Sequence, residues 1–285
     1  MKYCVSSYSF GVLSREDKLG YLGIIDKAAE MGFDGIEFTD GLWTENGLES
    51  AYAIRERCEK NGIEPVLLAV GADFINGQNG NSKAVVEYIC KMVDFAEACG
   101  MKKLRHDVTS GFRGRKFSIG YDDALKILSP CCREVAAYAE QKGIMTCTEN
   151  HGYFSQGAER VEKLINTVAH PNFGALVDIG NFLCADEDPT ISVGILAPYA
   201  IHVHAKDFYF KSGSEIAPGK GWFLSRSGNY LRGTVIGYGC GKVYQSIQII
   251  KSTGYDGYLC VEFEGGEDIL TGIQTGLENL KRFVG

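Results

Sequence analysis

One unit recurs along the chain: an amphipathic helical segment, a glycine, then a short run that is apolar nearly throughout. It is read in "DKAAEMGFDGIEF", "RERCEKNGIEPVLL", "FAEACGMKKLRH", "AYAEQKGIMTCTEN" and "IIKSTGYDGYLCVEF". The glycines, Gly32, Gly62, Gly100, Gly143 and Gly254, stand where a helix ends and the backbone often turns to positive φ. A short run without polar alternation is what a strand covered on both faces looks like, as in a parallel sheet packed under helices. Strands are expected at Tyr3–Ser7, Gly35–Phe38, Pro65–Val70, Lys103–His106, Met145–Glu149, Gly174–Asp178, Ile201–Ala205 and Tyr258–Phe263. Helices are expected between them, near 17–31, 48–61, 82–99, 122–142, 157–169, 189–198, 241–253 and 269–283.

Eight βα units in 285 residues fit the usual size of a (β/α)8 barrel. The fold class is therefore α/β, a single TIM barrel over residues 1–285, since no Pro/Ser-rich linker or low-complexity tract divides the chain. A doubly wound sheet is the alternative. It calls for a glycine-rich first turn, and "SSYSFGVLS" does not supply GxGxxG. Residues 208–240 carry no helical period but hold Trp222, Phe223, Arg226, Tyr230 and Arg232. That aromatic content predicts a long ordered loop, covering a site or contacting another subunit.

The formal charge of -7 and the pI near 5.4 argue against a nucleic-acid binder, which presents a basic face. No apolar run reaches the length of a membrane span. The start "MKYCVSSYSFG" has no basic stretch followed by an apolar core and is not read as a secretory signal. The ten cysteines are scattered with no CxxC among them, so they read as reduced thiols of a cytoplasmic protein.

Barrel enzymes place their chemistry at the C-terminal ends of the strands. Here those ends carry Glu37, Arg105-His106, Glu149, Asp178, His204 and Glu262. The last four close strands five to eight, in the contexts "TCTENHG", "ALVDIGN", "HVHAKDF" and "LCVEFEG". A lone strand-end glutamate is usually a salt-bridge or cap partner, and a lone buried histidine is usually a core hydrogen-bonder. Three carboxylates converging on a small volume, however, repel one another unless a cation joins them. Three oxygens and one imidazole suit one divalent ion, Mn²⁺ before Mg²⁺ or Co²⁺, with positions left for substrate oxygens. His202 shares a strand face with His204 and is placed one layer deeper, behind the ligands.

"TENHGYF", "VDIGNF", "HVHAKDF" and "GYLCVEFEG", in this order and spacing, resemble the sugar phosphate isomerase/epimerase family, which has the xylose isomerase-like barrel. The resemblance spans essentially the whole chain and is densest over 145–264. Its relatives include ketose 3-epimerases, inosose dehydratases and the catalytic subunits of C-glycoside deglycosidases. It implies Glu149, Asp178, His204 and Glu262 as metal ligands, and proton transfer at a carbon beside a carbonyl through a metal-stabilised enediolate. Glu149 and Glu262 would then remove and return the proton.

His151 lies two residues past Glu149, where a neutral imidazole is a competent base near pH 7; the plainer reading is a surface loop residue. Asn181 is a candidate for a substrate hydroxyl, at a position where ketose 3-epimerases tend to carry histidine. Lys206 could polarise a carbonyl or assist a leaving group, and Glu264 could orient Glu262 from behind. Tyr8, Phe10, Phe38 and Trp43 offer an aromatic mouth for a sugar face. Arg113, Arg115, Arg226 and Arg232 could bind a phosphate, but no phosphate loop is evident, so no phosphorylated substrate is expected; Arg232 is kept as a substrate contact.

The leading function is a metal-dependent isomerase or epimerase of a sugar or keto-sugar. Its runner-up is a lyase that shares the first step and then expels a β-substituent. An apurinic-site endonuclease on the same barrel is remote, given five histidines and the acidic charge. A non-catalytic binding subunit is disfavoured by the intact ligand set. Expected partners are a small-molecule carbohydrate and another subunit, identical or not, but neither nucleic acid nor membrane.

Overall fold

A computed structural model describes residues 1–41, 47–114 and 118–285. Eight strands close into one parallel barrel: β1 Lys2–Ser6, β2 Gly35–Thr39, β3 Glu64–Val70, β4 Lys103–His106, β5 Met145–Glu149, β6 Phe173–Asp178, β7 Ala200–Ala205 and, after an insertion, β11 Tyr258–Val261. The spatial order β1-β11-β7-β6-β5-β4-β3-β2 follows the chain, so every crossover passes through a helix on the outside. These helices are Gly20–Glu30, Leu48–Asn61, Ser82–Cys99, Tyr121–Gln141, Ala158–Val168, Pro189–Leu196, Val243–Ser252 and Ile269–Val284.

The helix Ser82–Cys99 shows how a unit is built. Asn81 accepts from the Ala84 N–H at the start, satisfying one of the orphan donors there. Val85, Val86, Ile89, Val93, Ala96 and Cys99 are buried on one face, at the spacing of a 3.6-residue period. Each large side chain removed from water contributes about 1.5–3 kcal/mol. Gly100, at φ 83°, then reverses the chain into β4, a conformation that a Cβ would penalise.

The segment after β7, expected as a long ordered loop without helical period, contains a small sheet. It holds β8 Asp207–Lys211, β9 Phe223–Leu224 and β10 Tyr230–Thr234, an antiparallel sheet in the order β8-β10-β9. Its buried face, Phe208 and Leu231, packs with Cys184 from the short helix Asn181–Cys184 after β6. Asp207 is its anchor, accepting backbone N–H groups from Phe208, Gly237, Gly239 and Gly241 at 2.8–3.0 Å. On the other side Asp186 accepts from Ser225, Ser227 and Asn229. All ten cysteines are free thiols. No helix among the described residues is long and apolar enough to cross a membrane.

At the end of β4 the two adjacent residues divide between two environments. Arg105 turns inward, whereas His106 points into the shell between the barrel and its helices, stacked on Phe173 and edge-on to Phe74. Its Nδ1 donates to the Asp107 carbonyl at 3.0 Å and its Nε2 has no partner. His106 is thus a core residue rather than a site residue. Burial pulls it down from 6.5 to about 4, because charging it there forfeits hydration. The unfolded chain takes up this proton below about 6.5 and the folded chain only near 4, so stability falls as pH drops through that window. Urea unfolding at pH 7 and pH 5 should show His106→Leu losing about 2 kcal/mol less than wild type over that interval; equal losses would contradict the assignment.

Candidate metal and proton-transfer site

Register brings the polar groups to one height. Asp178 of β6 pairs with His204 of β7, and His204 in turn with Cys260 of β11. Glu149 ends β5, and Glu262 follows β11 by one residue. Around His204 Nδ1 stand Glu262 Oε2 at 3.3 Å, Asp178 Oδ2 at 3.8 Å and Glu149 Oε1 at 4.0 Å. One ligand atom from each of these four buried residues lies within 4.8 Å of the others.

Two cations reach into the cluster. Lys206 Nζ is 2.6 Å from Glu262 Oε2, 3.4 Å from Asp178 and 3.6 Å from Glu264. Arg105 pairs with Glu149 and, at 2.9 Å, with Asp107. Burial pushes Glu262 up, but the Lys206 ammonium and the His204 ring outweigh it and hold its carboxyl well below the usual range. Burial dominates at Glu149 and leaves it raised, despite Arg105 and His204. The two carboxyls thus lie in opposed surroundings, Glu262 beside the ammonium and Glu149 governed by burial.

Backbone and amide contacts hold these groups in place. Asn181 donates through Nδ2 to Glu149 Oε1 at 2.8 Å and through its N–H to Asp178 Oδ1 at 2.9 Å. Its amide oxygen is 3.5 Å from Lys206 Nζ. Asn181, expected to meet a substrate hydroxyl, thus lies within the cluster with one amide hydrogen on Glu149. Asn150 accepts from the Asp178 N–H and donates to the Asp178 carbonyl, tying β5 to β6. Gly180 must lack a side chain, since a Cβ there would sit 2.7 Å from the Lys206 carbonyl oxygen.

The outer expected residues fall in several places. His151 is half exposed at the mouth, with Nδ1 bonded to Asp107 Oδ1 at 3.1 Å. That contact is the chief cause of its raised pKa. Tyr8 is half exposed and donates to Glu264 at 3.4 Å. Glu264 also lies 3.6 Å from Lys206, which bridges it to Glu262. Arg232, on β10, lies against the backbone of Gly266. Arg226 bonds the Ala185 and Tyr153 carbonyls, so its guanidinium serves the insertion. Trp43 and Arg115 lie outside the described residues. A cavity of about 740 Å³ opens beside the cluster, lined by Tyr8, Phe38, Asp40, Phe263 and Glu264 among others.

Two functional contacts were not anticipated. Glu37 of β2, fully buried, takes Nε2–H bonds from both His202 (3.0 Å) and His204 (2.9 Å) on its Oε2. Such a carboxylate orients the His204 ring and turns its Nδ1 toward the three acids, where it can carry a proton or, once deprotonated, bind an ion. Asp107 likewise orients His151. The first signal was present as a strand-end glutamate in "DGIEF"; its partners, across the barrel, were not.

The donor set fits a divalent ion. Asp178 Oδ2 and His204 Nδ1 are buried without a hydrogen bond, an arrangement that costs free energy unless something else coordinates them. Glu149, Asp178, His204 and Glu262 could hold such an ion as three oxygens and one nitrogen.

Comparison with known proteins agrees with the architecture. A family model described as xylose isomerase-like TIM barrel matches residues 25–283. Among solved structures, the IOLI protein with a bound zinc atom superposes with a TM-score of 0.77 at 18% identity, covering 100% of this chain and 98% of its own. A D-tagatose 3-epimerase-like protein gives 0.72 at 21% identity, covering 100% and 97%. The probable 3-DHS dehydratase AsbF from Bacillus anthracis gives 0.70 at 19%, covering 99% of each. At such identities these likenesses speak for the fold. Among curated proteins none matches the chain. The closed barrel and the match over most of its length place this chain in the xylose isomerase-like TIM barrel family.

Proposed function

We propose that the chain is a divalent-metal-dependent isomerase or epimerase of a sugar or keto-sugar, moving a proton at a carbon beside a carbonyl. The observation that carries this reading is the convergence of Glu149, Asp178, His204 and Glu262 within 4.8 Å, all buried. Family neighbours that include sugar epimerases and a dehydratase support it. The ion we assign is Mn²⁺, with Mg²⁺ or Co²⁺ as substitutes. When bound by those four residues, it would supply Lewis-acid stabilisation for the negative charge that develops on vicinal substrate oxygens.

The chain's own groups do the proton work. Glu149 and Glu262 come from staves separated by β6 and β7, so they approach a bound sugar from different sides. Lys206 keeps Glu262 ionised, ready to accept a proton. Glu149 is held by Asn181 and faces Arg105, which fix the carboxyl for proton transfer. His151, braced by Asp107, is placed at the mouth to exchange a proton with water or with substrate. The buried walls exclude bulk solvent and strengthen each of these charges.

Lys206 favours the second reading, a lyase. A buried ammonium beside Glu262 can protonate a departing oxygen after the α-proton leaves, which would expel water or an aglycone.

Metal analysis followed by solvent-deuterium incorporation across ketoses, inososes and 3-oxo-glycosides tests the proposal. Exchange at a single carbon is expected, abolished by chelation and restored by Mn²⁺, with Glu149→Gln and Glu262→Gln each slower by roughly 10³-fold. Exchange that survives both chelation and substitution would exclude it. Release of a dehydrated product or an aglycone, in place of an interconverted ketose, would select the lyase. Because Asp107 raises the His151 pKa, Asp107→Asn should move the acidic limb of the kcat/KM profile to lower pH; an unmoved limb would remove His151 from the proton path.

A further inference from the structure

Beneath the first cluster the barrel interior holds a second one that, apart from the shared His204, the proposed chemistry does not use. Glu37, His202, His204 and Cys260 each present one donor atom within 4.8 Å of the rest, and all four are buried. Cys4 adjoins it, with Sγ 3.9 Å from His202 Nε2, in register with Cys260 on the neighbouring stave. Besides His204 Nδ1, two buried atoms of the group, Glu37 Oε1 and His202 Nδ1, have no hydrogen-bond partner. A brace for His204 would need Glu37 alone. It does not account for a second imidazole on the same carboxylate oxygen, nor for a thiol facing them.

We propose that Glu37, His202, His204 and Cys260 form a second, closed site for a zinc-class divalent ion, sharing His204 with the site above. The donor set separates the two centres. The upper group is three carboxylates and one imidazole, suited to a hard ion, whereas the lower adds sulfur and a second imidazole, suited to a borderline one. Four protein donors and full burial leave no position for substrate, which is the pattern of a structural site. Bonds of about 2.0–2.3 Å in a tetrahedron set donor atoms about 3.3–3.8 Å apart. The pairs at 2.9 and 3.0 Å therefore part slightly, and the widest, at most 4.8 Å, closes by about 1 Å.

Protons balance as follows. Cys260 loses its thiol proton on binding. His202 moves its Nε2 proton to the unpartnered Nδ1, and His204 gives up its Nε2 proton when both centres are filled. Uptake therefore strengthens as pH rises. With His204 above it, the lower ion exchanges more slowly than the upper one.

Cobalt(II) substitution of the full chain distinguishes the centres, because only the lower one contains sulfur. Titration should load about two equivalents, the second accompanied by a near-ultraviolet sulfur-to-cobalt charge-transfer band. Cys260→Ala should keep the first equivalent and lose the band. X-ray absorption of the zinc-loaded wild type needs no variant and should report about one sulfur per two ions. A single equivalent without the band, or a band that persists in Cys260→Ala, would overturn the second site. Failure of the first equivalent to load would instead strike at the upper centre, so the two claims fail separately.

Discussion

The interior of this barrel depends on compensation of buried negative charge. Glu37, Glu149, Asp178 and Glu262 are all withdrawn from water, where an isolated carboxylate would cost several kcal/mol. Arg105 and Lys206 are the permanent cations that reach Glu149, Asp178 and Glu262, and His204 lies between these three and Glu37. Burial would keep its ring neutral, but Glu37 and Glu262 outweigh that and raise its pKa well above the ordinary value. The site thus holds a position that a proton or a metal ion can fill, and everything around it is arranged to keep that position fixed.

That arrangement links the fold to the chemistry. Each acid comes from a different stave, so the convergence exists only when the barrel is closed and in register. Asn150 and Asn181 tie β5 to β6 through side-chain bonds to Asp178 and Glu149. Glu37 reaches across from β2 to hold both histidines of β7. The insertion β8-β10-β9 is hung from Asp207, the residue directly after Lys206. The same turn that aims the ammonium into the site therefore also anchors the insertion beside it.

Much of the fold was legible in the chain because parallel strands under helices leave local marks: apolar runs, helix-ending glycines and polar residues where strands stop. The four converging residues were legible for the same reason, each closing its own strand. What was not legible depends on contacts distant in sequence. Arg105 and His106 both end β4, and only the pleat decides that one enters the site and the other the helix shell. Glu37 carried a strand-end signal, but its two imidazole partners lie across the barrel. Asp107 as the brace of His151 carried no signal, since loops on separate strands supply the pair. The antiparallel sheet of the insertion was hidden because β9 is only Phe223–Leu224, too short to show alternation, and Asp207's role lies in backbone amides that the side-chain pattern does not reveal.

The most direct measurement of the central claim is a titration of the metal-free chain with Mn²⁺, followed by electron paramagnetic resonance of the free ion. One tight equivalent of this hard ion is expected, lost in Asp178→Ala while circular dichroism shows the barrel intact. A wild-type chain that leaves all the manganese free, or an Asp178→Ala chain that binds it as tightly, would contradict the account.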